Sequence, residues 1–399
     1  MRVSDLAATS TLTNNLRRTN FRLNQLQNML ATGTRINDPS DDPSAASRSL
    51  LLRSDIRNTE QYQRNIDEGV GFMDFVDSTL DDLVNTLIRI RGLAIQGASD
   101  TVNSGDRDII ASEVNELLEH VISQAQAKYR GRSVFAGTET LETPYSEIRS
   151  TDGDVVSIGN SLRRSLGLES RTTAVGTLLG LTSPPSGTVT IGDQTVAIDL
   201  ATDSLDDIKA SIEAAAPTGV TVEIEESADE DATVYRLRIL GTTTAVDDNN
   251  VLGTLNIGNV DTTGSLLREV AEGVQIQVNV AGRDLFEGAQ NAFSAFIGLR
   301  DSLRDNDMEG IQQSITDIEA IREKISDTRG VLGARTNRIE LMRSLQERFE
   351  VNLNKALGDA EDTDLTNTII DLQAEQQTFQ AALASSATIF QPTLMQFLV

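Results

Sequence analysis

The sequence predicts a mainly α fold in which an antiparallel coiled-coil rod carries an outer β-β-α-β-β domain. Both flanks of the chain carry apolar heptads, whereas residues 148–283 hold 14 of the 28 glycines and runs of alternating Thr, Val and Ile. Aromatic residues are only 4% and Trp is absent, so the core is aliphatic, as is typical of helix seams. Because the β-rich insertion lies between two helical arms, the arms must meet in space.

The first predicted helix carries leucines at coiled-coil spacing. Leu16, Leu23 and Leu30 recur every seven residues, and Leu12 and Leu26 occupy the interleaved position. This seam covers about 19 residues, near the limit of stability for an isolated helix in water.

The last predicted helix repeats the pattern. Its seam is formed by Leu365, Leu372 and Phe379 against Ile369, Gln376, Leu383 and Phe390. Each buried Leu would contribute about 1.5–3 kcal/mol, but only against a partner. We therefore expect both ends to be disordered in the monomer and to fold upon assembly, with these apolar residues as the assembly interface.

Charge separates the two ends of the chain. Residues 1–36 hold five arginines and one acid, whereas residues 359–399 hold six acids and no Lys or Arg. Opposite charges beside matching apolar seams favour register between two paired helices or between neighbouring copies. The alternative is two solvated faces that never meet.

Further heptads lie inside both arms. They are Leu80, Leu87 and Ala94 with Leu83 and Ile90; Leu285, Ala292 and Leu299 with Ala289, Phe296 and Leu303; and the run Ile311, Ile318, Ile325, Leu332 and Ile339. Gly330 and Gly333 interrupt the last run and indicate a kink or a close helix contact.

The insertion is predicted as a β-β-α-β-β unit. Residues 187–199 form a hairpin, 204–216 a helix with Ser204 as N-cap, and 220–226 and 234–240 two further strands. Eleven acids in residues 199–231 against Lys209 predict a solvent-facing unit. Their spacing fits no EF-hand loop, so we predict no metal.

Composition excludes most chemistry. The net charge of -26 argues against nucleic-acid binding, and no apolar stretch is long enough for membrane insertion. Cys is absent, His120 is the single His, and none of the four Lys follows a Gly, which excludes thiol chemistry, common triads and a Walker A loop. We predict no enzyme and no cofactor. Without a signal-peptide h-region the sequence predicts a cytoplasmic protein, unless an export route reads an unfolded N-terminus.

A turn rich in Asp and Pro follows the first helix. Pro39 and Pro43 must break the helix, and Asn37, Asp38, Asp41 and Asp42 supply turn and capping groups. A metal site is the weaker interpretation of these acids, so the segment is predicted as a hinge between two helices.

The segment INDPSDDPS (36–44) resembles the N-terminal signature turn of bacterial flagellins and related hook-associated proteins. Residues 330–340 resemble the matching C-terminal signature, and residues 359–365 resemble the start of the flagellin terminal helix, so the resemblance covers both arms. The run Phe135, Ala136, Gly137 and Thr138, with residues 278–286, resembles the hairpin and return strand of type 3 hook-associated proteins at the hook–filament junction. Pro392 stands where the family commonly has an uninterrupted helical end.

The resemblance implies a flagellin-like arrangement. Residues 1–42 and 359–399 would form the inner core domain, 43–147 and 283–358 the helical rod, and 148–282 the outer insertion. It implies secretion to the extracellular flagellum through type III export without a cleaved signal. The implied partners are copies of itself, a neighbouring hook-associated protein, flagellin and an export chaperone on the C-terminal helix. Alternatives are a flagellin of the filament itself and, from another class, a cytoplasmic coiled-coil scaffold.

Overall fold

A computed structural model describes residues 2–150, 153–215, 217, 219–229, 232–241, 245–287 and 291–390. Pro392 and Ala289 lie outside the described residues, as do residues 230–231 between the predicted strands 220–226 and 234–240. The long helices are α1 (Arg2–Thr32), α2 (Pro43–Gly97), α3 (Ser104–Ala125), α5 (Leu205–Ala215), α8 (Ala292–Asp305), α9 (Met308–Glu361) and α10 (Leu365–Phe390). Short helices are α4 (Val175–Leu178), α6 (Val251–Thr254) and α7 (Gly282–Phe286).

The strands form small antiparallel sheets. They are β1 (Lys128–Tyr129), β2 (Arg132–Ser133), β3 (Tyr145–Arg149), β4 (Val155–Asn160), β5 (Ser186–Ile191), β6 (Gln194–Asp199), β7 (Thr221–Asp229), β8 (Ala232–Leu240), β9 (Ala245–Asp247), β10 (Leu267–Ala271) and β11 (Val274–Gln277). The order β6-β5-β9 makes the three-stranded sheet, and β1-β2, β3-β4, β7-β8 and β10-β11 pair as hairpins. The predicted mainly α fold with a β-rich insertion is confirmed.

The chain divides into two compact units. One holds the described residues up to Arg64 and those from Arg343 onward, and the other spans Asn65–Met342. In the first unit α1 packs along α10, and an antiparallel bridge between Thr34 and Asp362 joins the end of α1 to the start of α10. The prediction that both ends are disordered in a single chain therefore differs from the structure, because each terminal helix finds a partner in the other.

The larger unit holds two apolar cores. The first is built from α2, α3, α8 and α9 with the surrounding hairpins, and it buries the described members of every inner heptad, including all five of Ile311–Ile339. Those heptad predictions are confirmed. The helix α9 continues through Gly330 and Gly333, where no neighbouring atom lies within 4 Å of a Cβ position, so the predicted close contact is wrong.

The second core belongs to the insertion. The helix α5 packs on β6 and β7, and the elements β5, β6, α5, β7 and β8 follow in the predicted β-β-α-β-β order. Ser204 and Asp207 exchange hydrogen bonds across the first turn of α5, with the Ser204 amide 3.0 Å from Asp207 Oδ2 and the Asp207 amide 3.3 Å from Ser204 Oγ. This capping box fixes where the helix begins.

Candidate assembly interface

The pair of α1 and α10 contains the residues that the sequence predicts as an assembly seam. In α1, Leu23 is buried, and the other predicted leucines are half-buried: Leu12, Leu16, Leu26 and Leu30. In α10, Leu372 and Phe379 are half-buried. These seven side chains therefore lie on the faces along which the two helices of one chain pack.

Three apolar residues of the predicted α10 seam, and Gln376 with them, are exposed instead, and the side chain of Phe390 lies outside the described residues. Leu365 is 51% exposed, Ile369 45% and Leu383 48%. The least exposed positions of α10 are instead spaced four and three residues apart: Thr368, Leu372, Glu375, Phe379 and Ala382. Sequence reasoning missed the inward Thr368 and Glu375 because polar residues do not stand out in an apolar heptad.

The helix pair leaves large apolar side chains in contact with water. Besides the three outward residues of α10, Ile370 is 57% and Phe21 of α1 is 70% exposed. The two helices therefore leave several large apolar side chains without cover from the described residues of the chain.

The opposite charges of the two helices form no ion pairs within the described residues of the chain. Arg17, Arg18 and Arg22 are exposed on α1, and Asp371 is exposed on α10. Since these charges are not used inside one chain, they remain available to neighbouring molecules.

The predicted hinge is a tightly bonded turn. The carboxylate of Asp41 accepts from the backbone amides of Asn37 (3.1 Å) and Asp38 (3.0 Å), and the Asp41 amide donates to the Asp38 carbonyl at 2.9 Å. Asp42 caps α2 by accepting from the Ala45 amide at 3.1 Å. Pro39 lies in the exposed turn, and Pro43 occupies the first helical position, where its missing N–H costs nothing.

Capping also lowers the pKa of the Asp42 carboxyl. The Ala45 amide, then the Ser44 hydroxyl and Arg35, hold the pKa of this carboxyl below its usual value. The carboxylates of Asp41 and Asp42 thus have structural partners, which agrees with capping as the stronger interpretation of the segment.

The turn is tied to the end of α9. The Arg35 amide donates to the Glu361 carbonyl at 2.6 Å, and its guanidinium donates to the Ala360 carbonyl at 3.1 Å. The Glu361 carboxylate, almost buried, pairs with Arg53 at 2.7 Å. Arg35 thus donates to carbonyls that the end of α9 leaves without a partner in the helix. It therefore joins the connection between α1 and α2 to the connection between α9 and α10.

The predicted family hairpin is anchored by buried aromatic residues. The strands β1 and β2 flank a turn at Arg130 and Gly131, and Phe135–Thr138 follow β2. Phe135 and Ala136 are fully buried, whereas Thr138 is exposed. The Phe135 ring meets that of Phe286 edge to face at a centroid distance of 5.5 Å.

Only a glycine fits at position 137 without strain. Its φ is +57°, and a Cβ there would lie 2.7 Å from both the Asp261 carbonyl oxygen and the Gly264 nitrogen. The hairpin run therefore packs directly on the backbone of residues 261–264.

A buried tyrosine completes this region. Tyr145 packs against Phe286 and Phe293, and its hydroxyl donates to Glu287 at 3.3 Å. Burial, followed by the Glu287 charge, raises the pKa of Tyr145 far above its usual value. Thr262 donates to the same carboxylate at 2.9 Å, so this network joins segments distant in sequence and offers no reactive group.

Other site types are absent from the part of the chain that the structure describes. No group of three or more His, Asp or Glu side chains there could hold a metal ion. Among these same residues, no helix is both long and apolar enough to cross a bilayer. His120 is exposed on α3.

Comparison with known proteins finds a similarity in the N-terminal helical region. Residues 3–140 match the model of the bacterial flagellin N-terminal helical region. The matched stretch is about a third of the chain. The phase 2 flagellin of Salmonella abortus-equi is 28% identical over 214 residues, 52% of this chain and 41% of the relative. The flagellar filament 30.7 kDa core protein of Treponema maltophilum is 31% identical over 170 residues, 41% of this chain and 60% of the relative.

A solved structure shares the fold. A flagellar hook-associated protein of Vibrio parahaemolyticus superposes with a TM-score of 0.50 at 15% identity, covering 81% of this chain and all of that one. The matches to curated flagellins span only about half of those proteins' own length.

Proposed function

We propose that this chain is a structural, non-enzymatic subunit of the bacterial flagellum that acts as an adaptor at the hook–filament junction, where the flagellin filament assembles on it. The observation that carries this proposal is the terminal helix pair, whose apolar surface and unpaired charges are left for other molecules. A monomeric protein rarely exposes such a surface without a partner.

In this proposal each part of the chain has a separate role. Residues 1–42 and 359–399 pack with neighbouring copies in the inner core, 43–147 and 283–358 form the rod, and 148–282 project outward. The hinge from Asn37 to Pro43 joins the inner core to the rod. The partners are copies of itself, a neighbouring hook-associated protein and flagellin.

Export is also part of the proposal. The chain would travel unfolded through the flagellar type III channel without a cleaved signal, and a cytoplasmic chaperone would cover α10. The exposed Leu365, Ile369 and Leu383 support this, since they would otherwise promote aggregation before export.

The second candidate is a flagellin of the filament itself, which the names of the curated relatives favour. Two features support the junction instead: the likeness in fold to a hook-associated protein, and the packed hairpin run with Gly137.

Immunogold electron microscopy of intact flagella, with antibody against residues 187–258, tests the proposal. We expect label in a band at the hook–filament boundary, and none on the hooks of a deletion strain, which should carry no filament. Label along the whole filament would establish the flagellin alternative, and flagella without label would overturn both.

A further inference from the structure

A small cavity lies where the β1–β2 hairpin crosses α2. Its volume is about 150 Å³, and its apolar walls are Phe72, Tyr129, Leu266 and Val278. Gly69 forms part of the floor, where a Cβ would come within 2.9 Å of Ile339 Cδ1. A dry cavity of this size accepts one benzene-sized apolar group, about the size of a large aliphatic side chain.

The rim of this cavity is basic. Arg130, Arg132 and Arg268 line it together with one acid, Glu68, which pairs with Arg268 at 3.3 Å. Arg130 lies over the Tyr129 ring, 5.3 Å from its centroid. Neither Arg130 nor Arg132 has an ion-pair partner among the described residues, although the chain has a net charge of -26. The cavity therefore fits an apolar side chain flanked by carboxylates.

The same unit presents such a side chain at the far end of α2. Ile109, near the start of α3, is 68% exposed, and the exposed acids Asp106 and Asp108 lie beside it. Arg107 holds this end together by donating to the Gly97 carbonyl at 2.9 Å and to Asn306 Oδ1 at 3.1 Å. Further exposed acids lie near the ends of the adjoining helices α2, α8 and α9: Asp100, Asp305 and Asp307.

The two surfaces cannot meet within one chain. Gly71 lies beneath the Tyr129 hydroxyl, and Gly97 lies at the acidic end. At a rise of about 1.5 Å per residue they are separated by about 39 Å along one uninterrupted helix.

We propose that the basic-rimmed cavity of one copy receives Ile109 and its flanking carboxylates from a second copy. The contact is head-to-tail, so repeating it builds a ring or a filament, depending on the rotation between copies. This inference rests on the proposed function, because it names the surfaces through which the proposed flagellar subunits would contact one another.

Cysteine cross-linking tests the contact, because the chain has no natural Cys. We expect the double variant Arg132→Cys with Asp108→Cys to give a ladder of covalent oligomers when flagella are oxidised and blotted. Each single variant should give no ladder. As a matched control, Arg132→Cys with Asp327→Cys pairs the same hairpin position with an exposed acid of α9 and should also give none.

Charge exchange at the same two positions is the second test. Arg132→Glu should reduce incorporation into flagella about tenfold or more by like-charge repulsion, and adding Asp108→Arg should restore it. The proposal is overturned if the double-cysteine protein is in the flagella but forms no ladder, or if the exchange restores nothing; both results leave the proposed function standing. Absence of the unaltered protein from flagella would overturn the proposed function as well.

Discussion

Replacing Gly137 by Ala should destabilise the larger unit more than the same change at Gly131. Both glycines have positive φ, +57° and +79°, so each Ala would pay a left-handed backbone cost of about 1–2 kcal/mol. At Gly131 no atom lies within 4 Å of the new Cβ, so this cost is the whole effect.

At Gly137 the new Cβ would also overlap two backbone atoms at 2.7 Å, and backbone cannot rotate away as a side chain can. Overpacking of this kind adds about 1–3 kcal/mol. For a unit of this size about 2 kcal/mol corresponds to a further loss of about 3–4 °C in Tm.

Thermal unfolding of the full chain, followed by near-ultraviolet circular dichroism, measures both variants. The signal reports the buried aromatic cluster around Tyr145, which lies in the same unit as the two glycines. Equal losses in Tm for the two variants would refute the packing of the hairpin run on residues 261–264.

Three further predictions concern the other interfaces. Arg53→Met leaves the nearly buried Glu361 carboxylate unpaired and should cost the smaller unit about 1–2 kcal/mol, seen as faster amide hydrogen exchange at the end of α9. The double variant Leu372→Asp with Phe379→Asp should abolish incorporation, measured by immunoblots of sheared flagella, without changing the Tm of the larger unit. Burial opposes ionisation of Glu225, but Arg164 and Arg238 outweigh this effect and lower the pKa of its carboxyl. The carboxylate therefore stabilises the fold above about pH 4.5, and the stabilisation is lost as the pH falls below that value. Glu225→Gln should therefore flatten the dependence of Tm on pH between about 5 and 3.

Each of these predictions has a matched control. Arg89→Met breaks a pair whose two side chains are both well exposed, so it should cost at most about 1 kcal/mol. Ala374→Asp with Ala381→Asp adds the same charges to α10 at the same spacing but on exposed positions, and incorporation should persist. Glu223→Gln, on the exposed face of β7, is the matched variant against which Glu225→Gln is compared. Equal behaviour of variant and control would contradict the corresponding argument.

The sequence predicts best the features that repeat locally. The inner heptads, the order of elements in the insertion and the Ser204 cap depend on neighbours within a few residues, and all three agree with the structure. The strand pairing β5-β9 and the network from Tyr145 to Glu287 join segments whose contact follows from tertiary packing. No periodic pattern signals them.

The α10 seam shows a different limit. Two adjacent faces of this helix carry apolar residues. The helix α1 of the same chain covers the face that also includes the polar residues Thr368 and Glu375. The leucine-rich positions that dominate the sequence pattern, such as Leu365 and Leu383, are left outside. A heptad shows that a helix has apolar surface to bury, but it does not distinguish a partner within the chain from one in another copy.

The incomplete packing of the terminal pair connects folding to assembly. Among the described side chains of α1 and α10, Leu23 is the one buried large apolar residue. Most helical stability in proteins comes from packing of an apolar face, so this pair is weakly held in a single chain. In the proposed function neighbouring copies cover Phe21, Ile369 and Leu383, and the ends gain stability when they enter the assembly. The same weakness would let the ends unfold for export, since little buried surface has to be exposed first.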